Sequence, residues 1–181
     1  DIGVKKVNLS VFPPVVETWN FLSVGAKDGW IRESSETSAV GGAMKALGFL
    51  LAGDNAQKKQ YRSILSFNTA ALPDNALITK VVLKIKKQGI VGNDPFRTLG
   101  FLTADIRTGY FGTSALETSD FQAKASNASI GRFFATTPAT GWYQLVLSDE
   151  NFQYINLTGV TQFRLRFSRD DNNNSKDDYI Q

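Results

Sequence analysis

The residues best suited to chemistry lie in one run of carboxylates and amides at positions 170–178. Hard cations take about six to eight oxygen ligands, and alternate acidic and amide side chains point several oxygens inward. In this run, the alternate positions are Asp170, Asn172 and Asn174. The run departs from an EF-hand, since Ser175 replaces the glycine of that loop and Gln181 replaces its bidentate glutamate. A calcium ion bound here therefore needs ligands from elsewhere in the chain.

Two acidic residues at other strand ends could supply those ligands. The predicted metal ligands are thus Asp28, Asp54, Asp170, Asp171 and Asn172. The alternative interpretation is a solvated polar turn, because Asn and Asp are common turn residues. If calcium binds, we expect a structural ion that fixes the terminal strand.

The chain contains no cysteine and no histidine. These absences exclude cysteine nucleophiles, disulfides, Cys/His zinc sites and the usual Ser-His-Asp hydrolysis. Pairs of carboxylates remain, such as Glu33 with Glu36 or Asp105 with Glu117, but none lies in a diagnostic motif. We therefore predict that the chain is not an enzyme.

Exposed aromatic and arginine side chains are candidates for binding a sugar, because rings stack on sugars and arginine donates directional hydrogen bonds. The predicted ligand-binding residues are Trp30, Arg97, Arg107, Tyr110, Trp142, Arg164 and Arg166. If the outward faces of Arg164, Arg166, Lys84 and Lys86 share one sheet, they form a basic platform suited to acidic polysaccharide. The alternative is that the aromatic rings belong to the core and the charges form an ordinary wet face.

The charge balance limits the choice of partners. The net charge is +3 and no clustered basic patch is evident, so nucleic acid is not an expected ligand. No apolar run approaches the ~20 residues that span a bilayer, so membrane insertion is not expected either.

The elements that must position these residues are strands. In the stretch 161–168, Phe163, Leu165 and Phe167 alternate with polar residues, which predicts a strand with one buried face. Similar short strands and turns recur along the chain and predict an all-β, antiparallel jelly-roll β-sandwich. One or two short connecting helices are expected, with Asp120 and Ser148 as N-caps.

The chain is expected to form a single β-sandwich domain over residues 23–181. Pro13 and Pro14 interrupt an apolar N-terminal stretch, because proline lacks an amide donor. Residues 1–22 are therefore predicted to be a linker or an added edge strand.

Three stretches carry a resemblance to a known family: residues 28–34, residues 53–85 and residues 161–172. The middle stretch is the most specific, with a strand ending in Phe67-Asn68, a Leu72-Pro73 turn and then the next strand. The sequence resembles the DNRLRE-type β-sandwich modules of secreted bacterial and archaeal proteins, a group that overlaps a family of carbohydrate-binding modules. The resemblance implies a non-catalytic jelly-roll module, extracellular or at the cell surface, within a larger secreted polypeptide.

Two functions are compatible with these observations. The first is an extracellular carbohydrate-binding module for a polysaccharide or cell-wall glycan, with acidic polysaccharide favoured by the basic side chains. The second is a structural subunit of an extracellular filament or surface layer, in which the apolar N-terminus pairs with a like subunit by strand exchange.

Overall fold

A computed structural model describes residues 15–135 and 141–181. Within these ranges, eleven strands form one eight-stranded and one three-stranded antiparallel sheet. The predicted all-β antiparallel sandwich is confirmed. No helix in the described ranges is long and apolar enough to cross a membrane.

We call the eight-stranded sheet the large sheet. Its strands are β1 (Gly29–Glu33), β2 (Gly41–Ala46), β3 (Ala52–Asp54), β4 (Gln60–Asn68), β6 (Ile90–Gly92), β7 (Leu102–Thr108), β10 (Val160–Phe167) and β11 (Asp178–Ile180). The order along one path is β2-β1-β4-β3-β11-β6. The sheet branches at β4, since residues 63–68 pair with β10 and residues 60–61 pair with β3. From β10 the second branch continues to β7.

We call the three-stranded sheet the small sheet. It contains β5 (Val82–Lys86), β8 (Phe134–Ala135) and β9 (Trp142–Val146), in the order β5-β9-β8. Backbone hydrogen bonds join the two sheets at their sides. Residues 127–133 pair with β7 before the chain enters β8, and residues 87–89 bond to Gly141 and Gln181 before the chain enters β6.

The main core lies between the two sheets. Phe163, Leu165 and Phe167 of β10 are buried there, as their alternation predicts. They share this cluster with Leu83 of β5 and Leu145 of β9. Burial of this apolar surface is the main force that holds the sheets together.

A second, smaller core lies on the opposite face of the large sheet. Residues 109–125 cross that face and bury Phe111, Leu116 and Phe121 against Ile31 and Ile64. The large sheet is therefore covered on both faces in this region, which a simple alternation of polar and apolar residues does not reveal.

The connecting helices are short. One α-helical turn, α1, spans Pro95–Thr98, and 3-10 turns span Gly25–Lys27, Thr118–Phe121 and Asp149–Tyr154. Ser148 occupies the predicted N-cap position of the last of these turns, but its side chain makes no capping hydrogen bond. Asp120 is not an N-cap; it lies inside its turn and accepts a hydrogen bond from the Glu117 amide in a capping box.

The predicted N-terminal segment falls partly outside the described residues, which begin at residue 15. Residues 15–22 form neither helix nor strand, and Val15, Val16 and Leu22 are exposed. The prediction of an added edge strand in residues 1–14 lies outside the described residues.

Candidate functional site

The outward face of the small sheet carries aromatic and basic side chains toward solvent. On β5, Leu83 is in the core, so Lys84 and Lys86 point outward. On β9, Trp142 lies opposite Lys86 in register and Gln144 lies opposite Lys84. We call this surface the open face; its residues are Lys84, Lys86, Phe134, Trp142, Gln144 and Val146.

Two aromatic rings of the open face are accessible. Trp142 is 41% exposed and Phe134 of β8 is 67% exposed. Phe134 lies opposite Gln144, so one row across the three strands reads Lys84, Gln144, Phe134. Accessible rings beside ammonium and amide groups can stack on a sugar and hydrogen-bond to its substituents.

The strands of the open face also carry a net positive charge. The strands β5, β8 and β9 contain Lys84 and Lys86 but no aspartate or glutamate. Uncompensated ammonium groups on a flat surface create a positive potential that favours anionic ligands.

Arg164 does not lie at the surface, contrary to the prediction that it binds a ligand from a wet face. It is only 5% exposed, beneath residues 109–125. Its Nε and Nη2 donate to Asp105 Oδ2 at 3.0 and 2.7 Å, and its Nη1 donates to the carbonyls of Asp120 and Ala123 at 2.8 Å each. The guanidinium also lies 4.5 Å from the ring centroid of Phe111. Each of its three guanidinium nitrogens therefore donates within the chain.

Arg166 belongs to the same network but is partly accessible. Its Nη2 donates to Ser129 Oγ at 2.8 Å and lies 3.4 Å from Asp105 Oδ1. Burial alone raises the pKa of Asp105, but Arg164, the Ser129 amide and Arg166 together bring that pKa below its usual value. Burial and the neighbouring arginines lower the pKa of Arg62 to about 10.

The predicted basic platform does not form. Arg164 and Arg166 lie on the large sheet, whereas Lys84 and Lys86 lie on the outer face of the small sheet. The condition that these four side chains share one sheet is therefore not met.

The other predicted binding residues lie on separate elements. Trp30 on β1 packs edge-on against Tyr61. Arg107 on β7 donates to the carbonyls of Tyr110 and Lys124, and the Tyr110 hydroxyl accepts a hydrogen bond from Lys27. Arg97 is exposed on α1. Of the seven predicted residues, only Trp142 is on the open face.

The Asp/Asn run forms the loop between β10 and β11, beside the point where the large sheet branches. Asp178 on β11 lies opposite Asp54 on β3, and both are buried, at 0% and 1% exposure. Asp178 Oδ1 accepts from the backbone and side-chain amides of Asn93 at 2.6 and 3.0 Å. Its Oδ2 accepts from the side-chain amides of Asn172 and Asn174 at 2.6 Å each.

Asp54 is less well satisfied than Asp178. Its Oδ2 accepts one hydrogen bond from the Asn172 backbone amide at 3.3 Å, and its Oδ1 is buried without a hydrogen-bond partner. Burial, followed by the charges of Asp178 and Asp171, raises the pKa of Asp54 to about 7. By contrast, burial raises the pKa of Asp178, but its hydrogen bonds outweigh that effect and lower it.

The predicted metal ligands come together only in part. Asp54, Asp171 and Asn172 are neighbours, while Asp170 is exposed and bonds to the next backbone amide of its own loop. Asp28 is elsewhere: its Oδ1 accepts from the Ser66 amide. Ser66 is six residues from Gln60, the β4 partner of Asp54, or about 20 Å along the strand. Asp28 therefore cannot share an ion with Asp54.

Searches of the chain against protein-family models, curated proteins and solved structures find no match. In the described parts of the chain, no three acidic side chains form a group that would hold a metal by themselves.

Sequence reasoning missed two residues of these sites. Asp178 is at the end of the Asp/Asn run and begins β11. The signal that could have identified it is the strand pattern that starts there, in which Asp178 and Tyr179 face opposite sides. Phe134 gave no signal, because a phenylalanine in a strand is usually part of the core. Only the pairing of β8 with β9 places its ring on the open face.

Proposed function

We propose that this chain is a non-catalytic carbohydrate-binding module that holds an acidic polysaccharide on its open face, as part of an extracellular or cell-surface protein. The observation that carries the proposal is the exposed pair of rings, Trp142 and Phe134, beside Lys84 and Lys86. Sugar rings would stack on the aromatic surface while the ammonium groups pair with carboxylates of the polymer.

The open face is one side of a sheet, and this supports a polymeric ligand. A three-stranded sheet presents its side chains in rows about 5 Å apart, so a chain of sugars can contact several strands at once. A small molecule instead calls for a concave pocket that buries most of its surface. The lysines lie on β5 and the rings on the other two strands, which would orient the acidic groups toward β5.

The positions of the acidic residues support a role without catalysis. Glu33 is buried and accepts from the backbone amides of Ala39 and Gln60. Asp105 pairs with a buried arginine, and Glu117 belongs to a capping box. These carboxylates therefore serve the fold, leaving neither candidate pair free to act on a glycosidic bond.

Binding to a polyuronate, with a neutral glucan as comparison, tests this proposal. Trp142→Ala should weaken polyuronate binding about tenfold or more, which corresponds to about 1.4 kcal/mol. Trp19→Ala is the matched control, because Trp19 is 45% exposed but lies outside the small sheet, and it should bind as the unmodified chain does.

The charge contribution can be separated from stacking by salt. Lys84→Ala/Lys86→Ala should weaken binding and reduce its dependence on salt, because surface charges are screened at high ionic strength. Lys45→Ala/Lys176→Ala removes the same charge elsewhere and should change little. Failure of the unmodified chain to bind the polyuronate, or equal effects of Trp142→Ala and Trp19→Ala, would contradict the proposal.

A second candidate function is a structural subunit that assembles by strand exchange. It is favoured by the exposed apolar side chains of Val15, Val16 and Leu22 and by β2, which pairs with β1 and lies at the end of the strand order. An open strand edge accepts an extended segment from a neighbour. Removal of residues 1–22 should abolish self-association in light scattering if this function holds; a chain that is monomeric with those residues present would contradict it.

A further inference from the structure

The buried carboxylates at the branch of the large sheet pose an electrostatic problem. Asp54 and Asp178 face each other across β3 and β11, and like charges directly opposite in a sheet are destabilising. The other charged group that acts on Asp54 is Asp171, also an acid. Within the described part of the chain, the main charges that act on Asp54 include no basic side chain.

Asp54 Oδ1 makes the problem more severe. It is buried and has no hydrogen-bond donor, and a buried polar atom without a partner costs roughly 1–3 kcal/mol, more when charged. A positive charge at this atom would satisfy it and offset the neighbouring acids. Among the described residues, none of the main charges acting on Asp54 is basic, so this charge must come from solution, as a proton or as a cation.

The side-chain amides beside Asp178 carry oxygen atoms that could become ligands of a cation at Asp178 Oδ2. Asn172 and Asn174 both direct their side-chain amides at Asp178 Oδ2, 2.6 Å away. Their own Oδ1 atoms accept from the backbone amides of Asn174 and Lys176 at 3.0 and 2.8 Å, so a half-turn that exchanges nitrogen for oxygen gives up these two bonds and needs a cation to replace them. Two amide oxygens and a carboxylate oxygen would then converge on one point beside Asp54, an arrangement stable only around a cation.

We propose that a calcium ion binds between Asp54 and Asp178, with the side-chain oxygens of Asn172 and Asn174 as further ligands. All of these ligands are hard oxygens, which suits calcium or magnesium rather than a transition metal. The mixture of amide and carboxylate ligands on a loop and two strand ends favours calcium, since calcium tolerates irregular geometry and more ligands than magnesium.

The ion would be structural and independent of the open face. Its ligands come from β3, from the loop after β10 and from β11. Binding would fix that loop and β11 against the branch of the large sheet. Because only the folded chain brings these ligands together, calcium should stabilise folding by mass action.

Thermal unfolding of the whole chain in EDTA and then in calcium tests the site. Calcium at about 100 times its dissociation constant should raise the melting temperature by about 5–10 °C. Magnesium at equal ionic strength should give a smaller rise. Asp54→Asn keeps the shape of the side chain and removes its charge, so it should melt no lower than the unmodified chain in EDTA and should lose the response to calcium.

Asp28→Asn is the matched control, because Asp28 is also a buried acid but lies about 20 Å away along β4. It should keep the full response to calcium. The proposal is wrong if the unmodified chain melts at the same temperature in EDTA and calcium, or if Asp54→Asn responds as the unmodified chain does. Should Asp54→Asn fail to fold, calorimetric titration of the unmodified chain decides: one calcium per chain supports the site, and no binding heat overturns it.

Discussion

The strands β10 and β5 have the same pattern and opposite surroundings. Each alternates buried apolar residues with basic ones, Arg164 and Arg166 on β10 and Lys84 and Lys86 on β5. On β10, residues 109–125 cover the basic side and turn Arg164 into an internal group. On β5, the basic side stays open to solvent.

The comparison shows what the alternation of apolar and polar residues along a strand establishes. The alternation shows which side chains avoid the main core, but not whether a second layer covers the other face. The residue type fits the outcome, because a planar guanidinium with five donors can meet a carboxylate and several carbonyls when buried. A lysine ammonium is strongly hydrated and remains at the surface.

The largest expected effect comes from breaking the buried pair on β10. Asp105→Asn should lower the free energy of unfolding by about 3–5 kcal/mol, because it leaves the Arg164 guanidinium buried without a counter-charge. Denaturant unfolding measures the loss. Asp149→Asn, at an exposed position, should change stability by less than about 0.5 kcal/mol. A loss below about 1 kcal/mol for Asp105→Asn would mean that the network is not structural.

A smaller effect is expected from acid, which removes the charge of Asp105 but keeps its shape. The pKa of Asp105 is lower in the folded chain than its ordinary value of 3.8. Its contribution to stability is therefore complete above about pH 4 and is lost as pH falls through the folded pKa. Unfolding measured between pH 6 and pH 2 should show this loss in the unmodified chain and a shallower slope in Asp105→Asn. Equal slopes would contradict the pairing.

The smallest effect on stability is expected on β5. Lys84→Ala/Lys86→Ala should change the free energy of unfolding by less than about 0.5 kcal/mol per site, because these exposed side chains have no buried partner to lose. Denaturant unfolding measures the effect of the two lysines on stability, and the polyuronate binding assay measures their effect on binding. A large loss of stability would mean that the open face is not free for a ligand.

The sandwich and its main core could be predicted from local patterns. Phe163, Leu165 and Phe167 alternate, and Leu83 with Lys84 repeats that alternation, so period alone assigns the core face. The position of Ser148 before a 3-10 turn could also be predicted from the neighbouring residues. The placement of Arg164 could not be predicted, because the segment that buries it lies about 40 residues earlier and has no regular pattern of its own.

The candidate sites show the same division. Trp142 could be chosen from its residue type, while Phe134 needed the pairing of β8 with β9. Asp54 and the Asp/Asn run could be linked as oxygen donors, but Asp28 could not be separated from them without the register along β4. The opposition of Asp178 to Asp54 arises from strands more than 120 residues apart in sequence.

By itself, the sequence determined the strand content, the buried face of each main strand and the absence of cysteine and histidine chemistry. These properties depend on residue type and on neighbours two positions away. Only the tertiary structure decided which basic face is covered, which rings reach solvent and which carboxylates meet. Those outcomes depend on contacts between distant segments, whose pairing is set by the packing of the whole sandwich rather than by any local pattern.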